Sequence, residues 1–247
     1  MANLKLIIAY DGTRYFGWQK TKMGPSIEGV LQEILEKVTQ HPIKLQAASR
    51  TDAGVHAEGQ VVNFIVQGNQ PELSQFQLSL NQLLPPDMAV LSVEQMPDSF
   101  HPTLDARIKE YHYCATLARF QWPQHRMYSW HFPYPVDLTL MEKGSRYLIG
   151  EHDFSAFTNV NNEEPPDYTR TIESIDFCEL GGGKVVIIIR GHQFLYRMAR
   201  NLVGTLLYAG CGKLDVDLIP EVMESRDRKM AGVTAPSHGL FLHKVEY

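Results

Sequence analysis

Apolar residues in the first 96 positions recur in a pattern that predicts the element order β-α-β-β-α-β. Residues 3–10 alternate as a strand. After Ser26, a predicted N-cap, apolar residues repeat every three or four positions, as in an amphipathic helix. Two strands, a helix and a closing strand follow at 43–47, 60–66, 72–84 and 88–96. This order is the split unit of ferredoxin-like domains, which fold around one antiparallel sheet.

The pattern begins again after the turn at residues 97–102. It predicts a strand, a helix, a glycine-linked hairpin, a second helix and a final strand, at 107–117, 137–149, 169–190, 194–209 and 240–247. We therefore predict an α/β protein of the α+β type, with two ferredoxin-like β-α-β-β-α-β halves whose mainly antiparallel sheets flank a central cleft. The predicted domains are residues 1–103 and 104–247. Because no residue-level repeat relates the halves, the duplication is one of architecture.

The composition is that of a soluble globular protein that can bury a core, since 44% of the 247 residues are hydrophobic and 21% are charged. No apolar run approaches the roughly 20 residues of a membrane helix. The N-terminal strand runs directly into Asp11-Gly12 without the features of a signal peptide. The three cysteines are scattered, as in a reducing compartment. We therefore expect a cytoplasmic protein with no membrane association.

The net charge of −5 argues against a nonspecific polyanion binder. It does not exclude RNA, because only the local potential of a binding groove must be positive. Folding, or the pairing of two subunits, would have to assemble such a groove from dispersed cations. These cations are Arg14, Lys20, Lys22, Arg107, Lys109, Arg190, Arg197 and Arg200.

Two long connections interrupt the second half. Residues 118–135 are rich in aromatic side chains, and residues 157–168 are rich in Asn, Glu and Pro and are predicted to be mobile. Loops of this length pack on a domain or contact a ligand, and the sequence favours neither role for these two. The charged run at residues 226–229 is interpreted as a solvated surface.

Several common kinds of catalytic site lack their sequence signals. No Cys-x-x-Cys or His-Glu-x-x-His spacing occurs, so we expect no metal site. Residues 181–183 are three glycines that join two strands and open no helix, so Lys184 does not complete a phosphate-binding loop. No Gly-x-Ser-x-Gly elbow is present for a serine nucleophile. Acidic, tyrosine and arginine side chains remain as candidates.

A polar run, Ala-Ser-Arg-Thr-Asp-Ala-Gly-Val-His-Ala at residues 48–57, connects two predicted strands. Arg50 and Asp52 are two positions apart, so in extended backbone both side chains leave from one face. An isolated Arg-x-Asp favours an Asx turn next to a solvated arginine. A connection between two strands is also a place where rigid scaffolds hold functional groups.

Aromatic side chains in two further runs allow both a structural and a functional interpretation. Phe16 and Trp18, in the loop after the first strand, fit core positions or a rim on which bases stack. Strand alternation places Lys109, Tyr111 and Tyr113 on one face, either as packed tyrosines or as a surface that holds RNA bases.

The predicted helix 194–209 carries Arg197 and Arg200 on the side opposite its apolar stripe. Two arginines on such a side ordinarily indicate a solvated helix face.

Together, these runs resemble the motifs of the tRNA pseudouridine synthase A family. The family's signature loop is Gly-Arg-Thr-Asp-Ala-Gly-Val-His-Ala; every position from Arg50 to Ala57 matches it, and Ser49 replaces the first glycine. Residues 10–19, 109–113, 194–204 and 235–242 resemble the family's other motifs. The resemblance therefore covers nearly the whole chain.

The resemblance implies that the protein isomerises uridine to pseudouridine in the anticodon stem-loop of tRNA, at tRNA positions 38–40, as a homodimer. It implies that Asp52 is the catalytic carboxylate, that Tyr111 stacks on the target base and that Arg200 pairs with Asp52. Arg50 is then suited to fill the gap left by an extruded nucleotide. The isomerisation is redox-neutral and transfers no phosphate, so we expect neither a cofactor nor a metal. The RNA-binding candidates are Arg14, Lys20, Lys109 and Arg197.

Two departures from the family pattern concern RNA contacts. Lys109 and Thr103 both stand where arginine is usual, and Thr103 puts an RNA contact or an interdomain pairing in question. Two other functions stay open from the residues alone. One is a noncatalytic RNA-binding protein, and the other is a carboxylate-based nucleosidase or glycosidase, which would require a second carboxylate such as Glu58 or Glu110.

Overall fold

A computed structural model describes residues 1–68, 72–159 and 167–247. The chain forms two compact units: Met1–Arg107 together with Phe241–Tyr247, and Ile108–Leu240. The last strand is thus grouped with the N-terminal residues. The division into functional domains at residues 103 and 104 stays a prediction.

The predicted elements occur in the predicted order, and the structure adds two short strands in the second half that were not predicted, at Trp130–His131 and Gly150–Asp153. The strands are β1 (Ala2–Tyr10), β2 (Gln46–Ala47), β3 (His56–Val66), β4 (Met88–Met96), β5 (Ile108–Thr116), β6 (Trp130–His131), β7 (Gly150–Asp153), β8 (Thr169–Gly181), β9 (Lys184–Gly191) and β10 (Leu240–Glu246). The α-helices of the described residues are α1 (Ile27–Thr39), α2 (Leu73–Leu83), α3 (Leu138–Arg146), α4 (Met198–Gly210) and α5 (Ile219–Ser225).

The first unit is built on strands in the order β4-β1-β3-β10, with β2 also paired to β3. Strand β1 is antiparallel to both β3 and β4, whereas β10 joins β3 in parallel. Along β1, Leu4, Leu6 and Ile8 are almost fully buried, as the alternating pattern predicts. Helix α1 begins as predicted, because the Ser26 side chain accepts a hydrogen bond from the backbone N–H of Gly29 at 3.2 Å.

The second unit has the antiparallel strand order β5-β9-β8-β7, and the short β6 pairs with β5 in parallel. The predicted β8–β9 hairpin is confirmed. Gly181, Gly182 and Gly183 at its turn all have positive φ, between 61° and 79°, which glycine adopts without the strain of a side chain. The mainly antiparallel α+β fold class is confirmed for both units.

Helix α4 differs from its prediction in two respects. It begins at Met198 and not at Phe194, because Arg197 has a left-handed conformation with φ of 59°. It is also buried on nearly all sides, whereas one polar face was predicted. A Cβ on Gly204 would lie 1.7 Å from the carbonyl oxygen of Val233, so the segment after α5 packs directly on the helix backbone.

The two long connections differ in what the structure describes. The first contains β6 and a short 3₁₀ turn at Pro123–His125. Most of the second lies outside the described residues, and with it the prediction of mobility for residues 157–168. Within the described residues, every helix is too short or too polar to cross a membrane.

Candidate active site

Asp52 lies in the loop between β2 and β3, and residues 48–55 are called the Asp52 loop from here on. The loop is hydrogen-bonded to the segment that follows β1. The backbone N–H of Trp18 donates to the carbonyl of Thr51 at 2.9 Å, and the N–H of Gly54 donates to the carbonyl of Tyr15 at 3.3 Å. Backbone-to-backbone bonds of this kind fix the course of a loop independently of its side chains.

Two glycines allow this close approach. A Cβ on Gly12 would lie 2.0 Å from the carbonyl oxygen of Val55, and one on Gly17 would lie 2.7 Å from that of Thr51. Gly17 also has φ of 89°, which disfavours any side chain. The glycines of the N-terminal motif therefore allow the segment after β1 to pack closely against the Asp52 loop.

Buried polar side chains also hold the Asp52 loop in place through hydrogen bonds. The hydroxyl groups of Thr51 and Tyr10 are 2.8 Å apart. Gln60, which is fully buried, donates to the carbonyl of Ser49 at 2.6 Å and accepts from its N–H at 3.2 Å. Buried polar groups that are satisfied in this way hold one loop conformation.

Phe16 and Trp18, predicted either as core residues or as a rim on which bases stack, differ in how far they are exposed. Trp18 is buried, which fits the structural interpretation, whereas 43% of Phe16 is exposed. In the loop itself, Asp52 is half-buried and Arg50 is exposed. The loop thus presents a carboxylate that is partly shielded from water and a cation that is open to it.

In the second unit, Tyr111 and Tyr113 share the buried face of β5. The Tyr111 ring packs edge-on against Phe194, with 4.8 Å between ring centroids. The Tyr113 hydroxyl donates to the carbonyl of Pro236 at 2.9 Å, and burial raises the pKa of this phenol well above its usual value. Tyr113 is therefore a core residue with a structural hydrogen bond.

Lys109 lies on the same face of β5 and is only 6% exposed. Burial, and to a smaller extent the charge of Arg170, lowers the pKa of the Lys109 ammonium to about 8.

Arg200 lies in the first turn of α4. Its Nε donates to the carbonyl of Ala235 at 2.7 Å, and the N–H of Ala235 donates to the carbonyl of Arg200 at 3.1 Å. The guanidinium is therefore tied to the segment that follows α5, which sets its orientation. This half-buried arginine is not the solvated charge that its helix position indicated.

A polar network beside Arg200 was not found from the sequence. The side-chain oxygen of Asn201 accepts hydrogen bonds from Arg228 at 2.8 Å and Thr234 at 2.6 Å, and its nitrogen donates to the carbonyl of Phe157 at 2.7 Å. Arg228 was interpreted as part of a solvated run, and for this residue the interpretation is wrong. The Arg228 guanidinium bonds to Asn201 in α4 and to Gly232 and Thr234 in the segment after α5, a combination that no local pattern indicates.

The remaining candidates differ in how they are held. Arg14 is exposed, but its Nε donates to Asp87 at 2.7 Å. The exposed Lys20 donates to Gln32 at 2.6 Å. The guanidinium of Arg197 lies over the Tyr196 ring at 4.8 Å.

Thr103, which stands where an arginine is usual, donates its hydroxyl hydrogen to the carbonyl of Ala47 at 2.7 Å. It therefore ties the turn after β4 to the start of the Asp52 loop region. Arginine has no hydroxyl group, so an arginine at this position could not make the same hydrogen bond.

The chain belongs to the tRNA pseudouridine synthase family, whose model matches residues 6–105 and 145–247. Enzymes of this family isomerise uridine to pseudouridine in tRNA. The match includes the Asp52 loop, the glycines that support it and helix α4, and it leaves out residues 106–144.

Named relatives agree with this assignment. The chain is 54% identical over 248 residues to tRNA pseudouridine synthase A 2 of Protochlamydia amoebophila, covering 100% of this chain and 95% of the relative. It is 40% identical over 247 residues to tRNA pseudouridine synthase A of a Thermoanaerobacter species, with full coverage of both chains. The corresponding protein of Thermotoga maritima is 38% identical over 245 residues, 99% of each chain.

Similarity to solved structures is weak. A Cbf5-Nop10-Gar1 complex gives a TM-score of 0.38 at 12% identity, over 83% of this chain and 45% of that one. An archaeal box H/ACA Nop10-Cbf5 complex gives 0.36 at 12% identity, over 92% and 59%. Scores of this size carry no conclusion about function.

Proposed function

We propose that this protein isomerises uridine to pseudouridine in the anticodon stem-loop of tRNA, with Asp52 as the catalytic carboxylate. The observation that carries the proposal is the Asp52 loop itself. Its backbone is held by hydrogen bonds and by two close glycine contacts, and it presents a half-buried carboxylate. A catalytic group must be held in one geometry before the substrate arrives, and this loop has that property.

The chemistry fits a single carboxylate. The bond between N1 of uracil and C1′ of ribose breaks, the base turns, and C5 bonds to C1′. The ring loses a proton at C5 and gains one at N1, so no oxidant, reductant or phosphate donor is consumed. Asp52 can act as a nucleophile at the sugar or at ring C6, and both routes use the same ionised oxygen.

Three further side chains are proposed to support the reaction. Tyr111 would hold the detached uracil by stacking, so that the base turns without leaving. Arg200 would supply the positive charge that keeps the carboxylate ionised in a site that excludes water. Arg50, which is exposed, would fill the space left by the extruded nucleotide and offset a few kcal/mol of lost stacking.

For the RNA, we propose contacts from Arg14, Lys20, Lys109 and Arg197. Phosphate contacts release counterions, so affinity should fall steeply with salt in spite of the acidic net charge. By the family resemblance, we also propose that the protein is a cytoplasmic homodimer. Sedimentation of the pure protein at micromolar concentration tests the dimer, since a single species at 28.1 kDa would contradict it.

Nucleoside analysis of tRNA incubated with the pure protein tests the proposed function. Pseudouridine in the anticodon stem-loop is the expected product. Unchanged RNA that is nevertheless bound would support a noncatalytic RNA-binding protein, and released uracil would support a nucleosidase. An anticodon stem-loop whose target uridines are replaced by cytidine is the matched control, and it should yield no product.

A further inference from the structure

Lys109 is a buried lysine, and the described residues 1–68, 72–159 and 167–247 place no counter-charge on it. Only 6% of the residue is exposed, and none of the described residues makes a hydrogen bond or an ion pair with its ammonium group. Lysine is almost never buried to this extent unless it is paired. Burial of a charged side chain is costly, and the lowered pKa of Lys109 reflects that cost.

A second cation lies next to it. Lys109 on β5 and Ile172 on β8 both pair with Gly191 of the intervening strand β9. Arg170 is two positions before Ile172, so its side chain leaves β8 on the same face as Lys109. The charge of Arg170 acts on Lys109 and makes its ammonium form less favourable still.

Arg170 also has an unused donor. Its Nη1 donates to the carbonyl groups of Asp167 at 2.9 Å and Thr169 at 2.5 Å. Its Nε is buried and donates to no partner in the part of the chain that the structure describes. A buried N–H without a partner costs free energy, and here it belongs to a cation whose charge acts on Lys109.

The same face carries the residue proposed to stack on the target base. Phe194 packs over Gly191, with its ring 3.2 Å from where a Cβ would be, and its ring contacts Tyr111. Lys109 and Tyr111 are two positions apart on β5, so their side chains leave the strand in the same direction. The cation pair therefore adjoins the surface proposed for the base.

We propose that Lys109 and Arg170 together form a binding site for one phosphodiester group of the RNA, next to the nucleotide whose base stacks on Tyr111. This inference rests on the proposed function and adds Arg170 and a specific chemical group to it. A phosphate oxygen would pair with the Lys109 ammonium and accept from the Arg170 Nε. It would also relieve the repulsion between the two cations.

A purely structural role for Lys109 does not explain these observations. An apolar side chain of similar length would fill the position without the cost of burying a charge. Natural proteins tolerate such costs mainly at functional sites.

A coupling experiment tests the site. The protein carries Asp52→Asn, so that no turnover disturbs binding, and the ligands are anticodon stem-loops in which one phosphate at a time is a neutral methylphosphonate. For the protein with Lys109 intact, we expect one position near the target uridine to weaken binding about tenfold, the usual range for a charged hydrogen bond. With Lys109→Met, the unmodified stem-loop should bind about tenfold more weakly, and the same methylphosphonate should change affinity less than about twofold.

The variants include their own controls. Lys109→Arg keeps the charge and should keep the coupling, and Arg170→Met should lose it at the same phosphate. Lys44→Met removes an exposed lysine and should leave every methylphosphonate effect unchanged. Thermal unfolding of each variant shows whether it is folded before binding is compared.

Equal methylphosphonate losses with and without Lys109, at every position, would overturn the proposal. Thermal unfolding in inorganic phosphate distinguishes a site for a free anion from a site for an RNA phosphate. If phosphate stabilises the protein only when Lys109 is present, but no RNA phosphate is coupled, the site binds a free anion and the RNA assignment is wrong. Failure of the proposed function would show separately, as an absence of pseudouridine with the wild-type protein.

Discussion

Two charged groups of this protein, the Asp52 carboxylate and the Lys109 ammonium, are held in opposite ways. The Asp52 loop has its backbone fixed by bonds to Tyr15 and Trp18. Lys109 is far more buried, yet it has no counter-charge among the described residues. A group that must act in one geometry is surrounded by satisfied hydrogen bonds, whereas a group that is to receive a ligand keeps its bonds unmade.

Stability and function agree at the first of these groups and conflict at the second. The supports of the Asp52 loop stabilise the fold and the proposed chemistry together, so their loss should harm both. Lys109 costs stability in the free protein, so its loss should harm RNA binding and help folding.

The largest effect should follow from removal of the Asp52 carboxylate. Asp52→Asn keeps the shape of the side chain but removes its nucleophile, so we expect kcat to fall by about 10⁴-fold or more. Single-turnover formation of pseudouridine measures the change, and thermal unfolding should be unaltered. Asp98→Asn, at an exposed carboxylate, is the control and should keep wild-type activity. A variant at Asp52 with near-wild-type turnover would remove the assignment.

Arg200→Met should lower kcat by about 10²–10³-fold, because a preorganised charge is lost from the proposed site. Arg200→Lys keeps the charge but loses the Nε donor that bonds to Ala235, so it should recover only part of the rate. Steady-state kinetics separate kcat from KM for both variants. If they changed KM alone, Arg200 would be an RNA contact and not a partner of the reaction.

A pair of glycine variants isolates the support of the Asp52 loop. Gly17 and Gly68 have similar backbone conformations, with φ of 89° and 82°, so alanine strains both alike. A Cβ at residue 17 meets the Thr51 carbonyl, whereas nothing described lies within 4 Å of one at residue 68. Gly17→Ala should therefore lower kcat/KM by about 10²-fold, the cost of misplacing a catalytic group by about 1 Å.

Comparison of activity and unfolding temperature for the two glycine variants gives the result. Both should lose stability through backbone strain, but only Gly17→Ala should lose activity. Equal activities would mean that the loop tolerates displacement.

Lys109→Met should stabilise the RNA-free protein by about 1–3 kcal/mol near pH 7, because no ammonium is then buried. In the wild type, the unfolded chain binds the proton more tightly than the folded one. Stability should therefore rise with pH between about 8 and 10.5, the folded and the ordinary pKa of this lysine.

Denaturant unfolding across this pH range measures the slope, which Lys109→Met should abolish and Lys44→Met should keep. A Lys109→Met protein that is less stable than the wild type at pH 7 would contradict the cost assigned to the buried ammonium.

The sequence predicted those features that depend on local patterns. Ser26 marked the start of α1, three glycines marked the β8–β9 turn, and the order of elements followed from apolar periodicity. The start of α4 was missed because the left-handed backbone of Arg197 has no sequence signal, as a non-glycine residue seldom adopts it.

For the site, the sequence indicated the charged candidates but not their partners. Asn201 and Arg228 are polar residues at positions that the sequence pattern predicts to be exposed to solvent. Only the folded chain brings them into contact. Arg170 is the second residue of a predicted strand and belongs to no motif, so nothing in its neighbourhood along the chain pointed to Lys109. Side-chain polarity is visible in a sequence, whereas the burial that makes it costly depends on distant segments.

The parallel pairing of β10 with β3 has a consequence for synthesis on the ribosome. Phe241 pairs with His56 and stacks on its ring at 4.6 Å. The hydrogen bond between Glu58 and His243, two residues further along both strands, joins residues 185 positions apart. At about 5–20 residues per second, translation of that interval takes roughly 10–40 s. During this time the segment that directly follows the Asp52 loop has no β10 beside it. The nascent chain must therefore keep that side of β3 from other strands until β10 emerges.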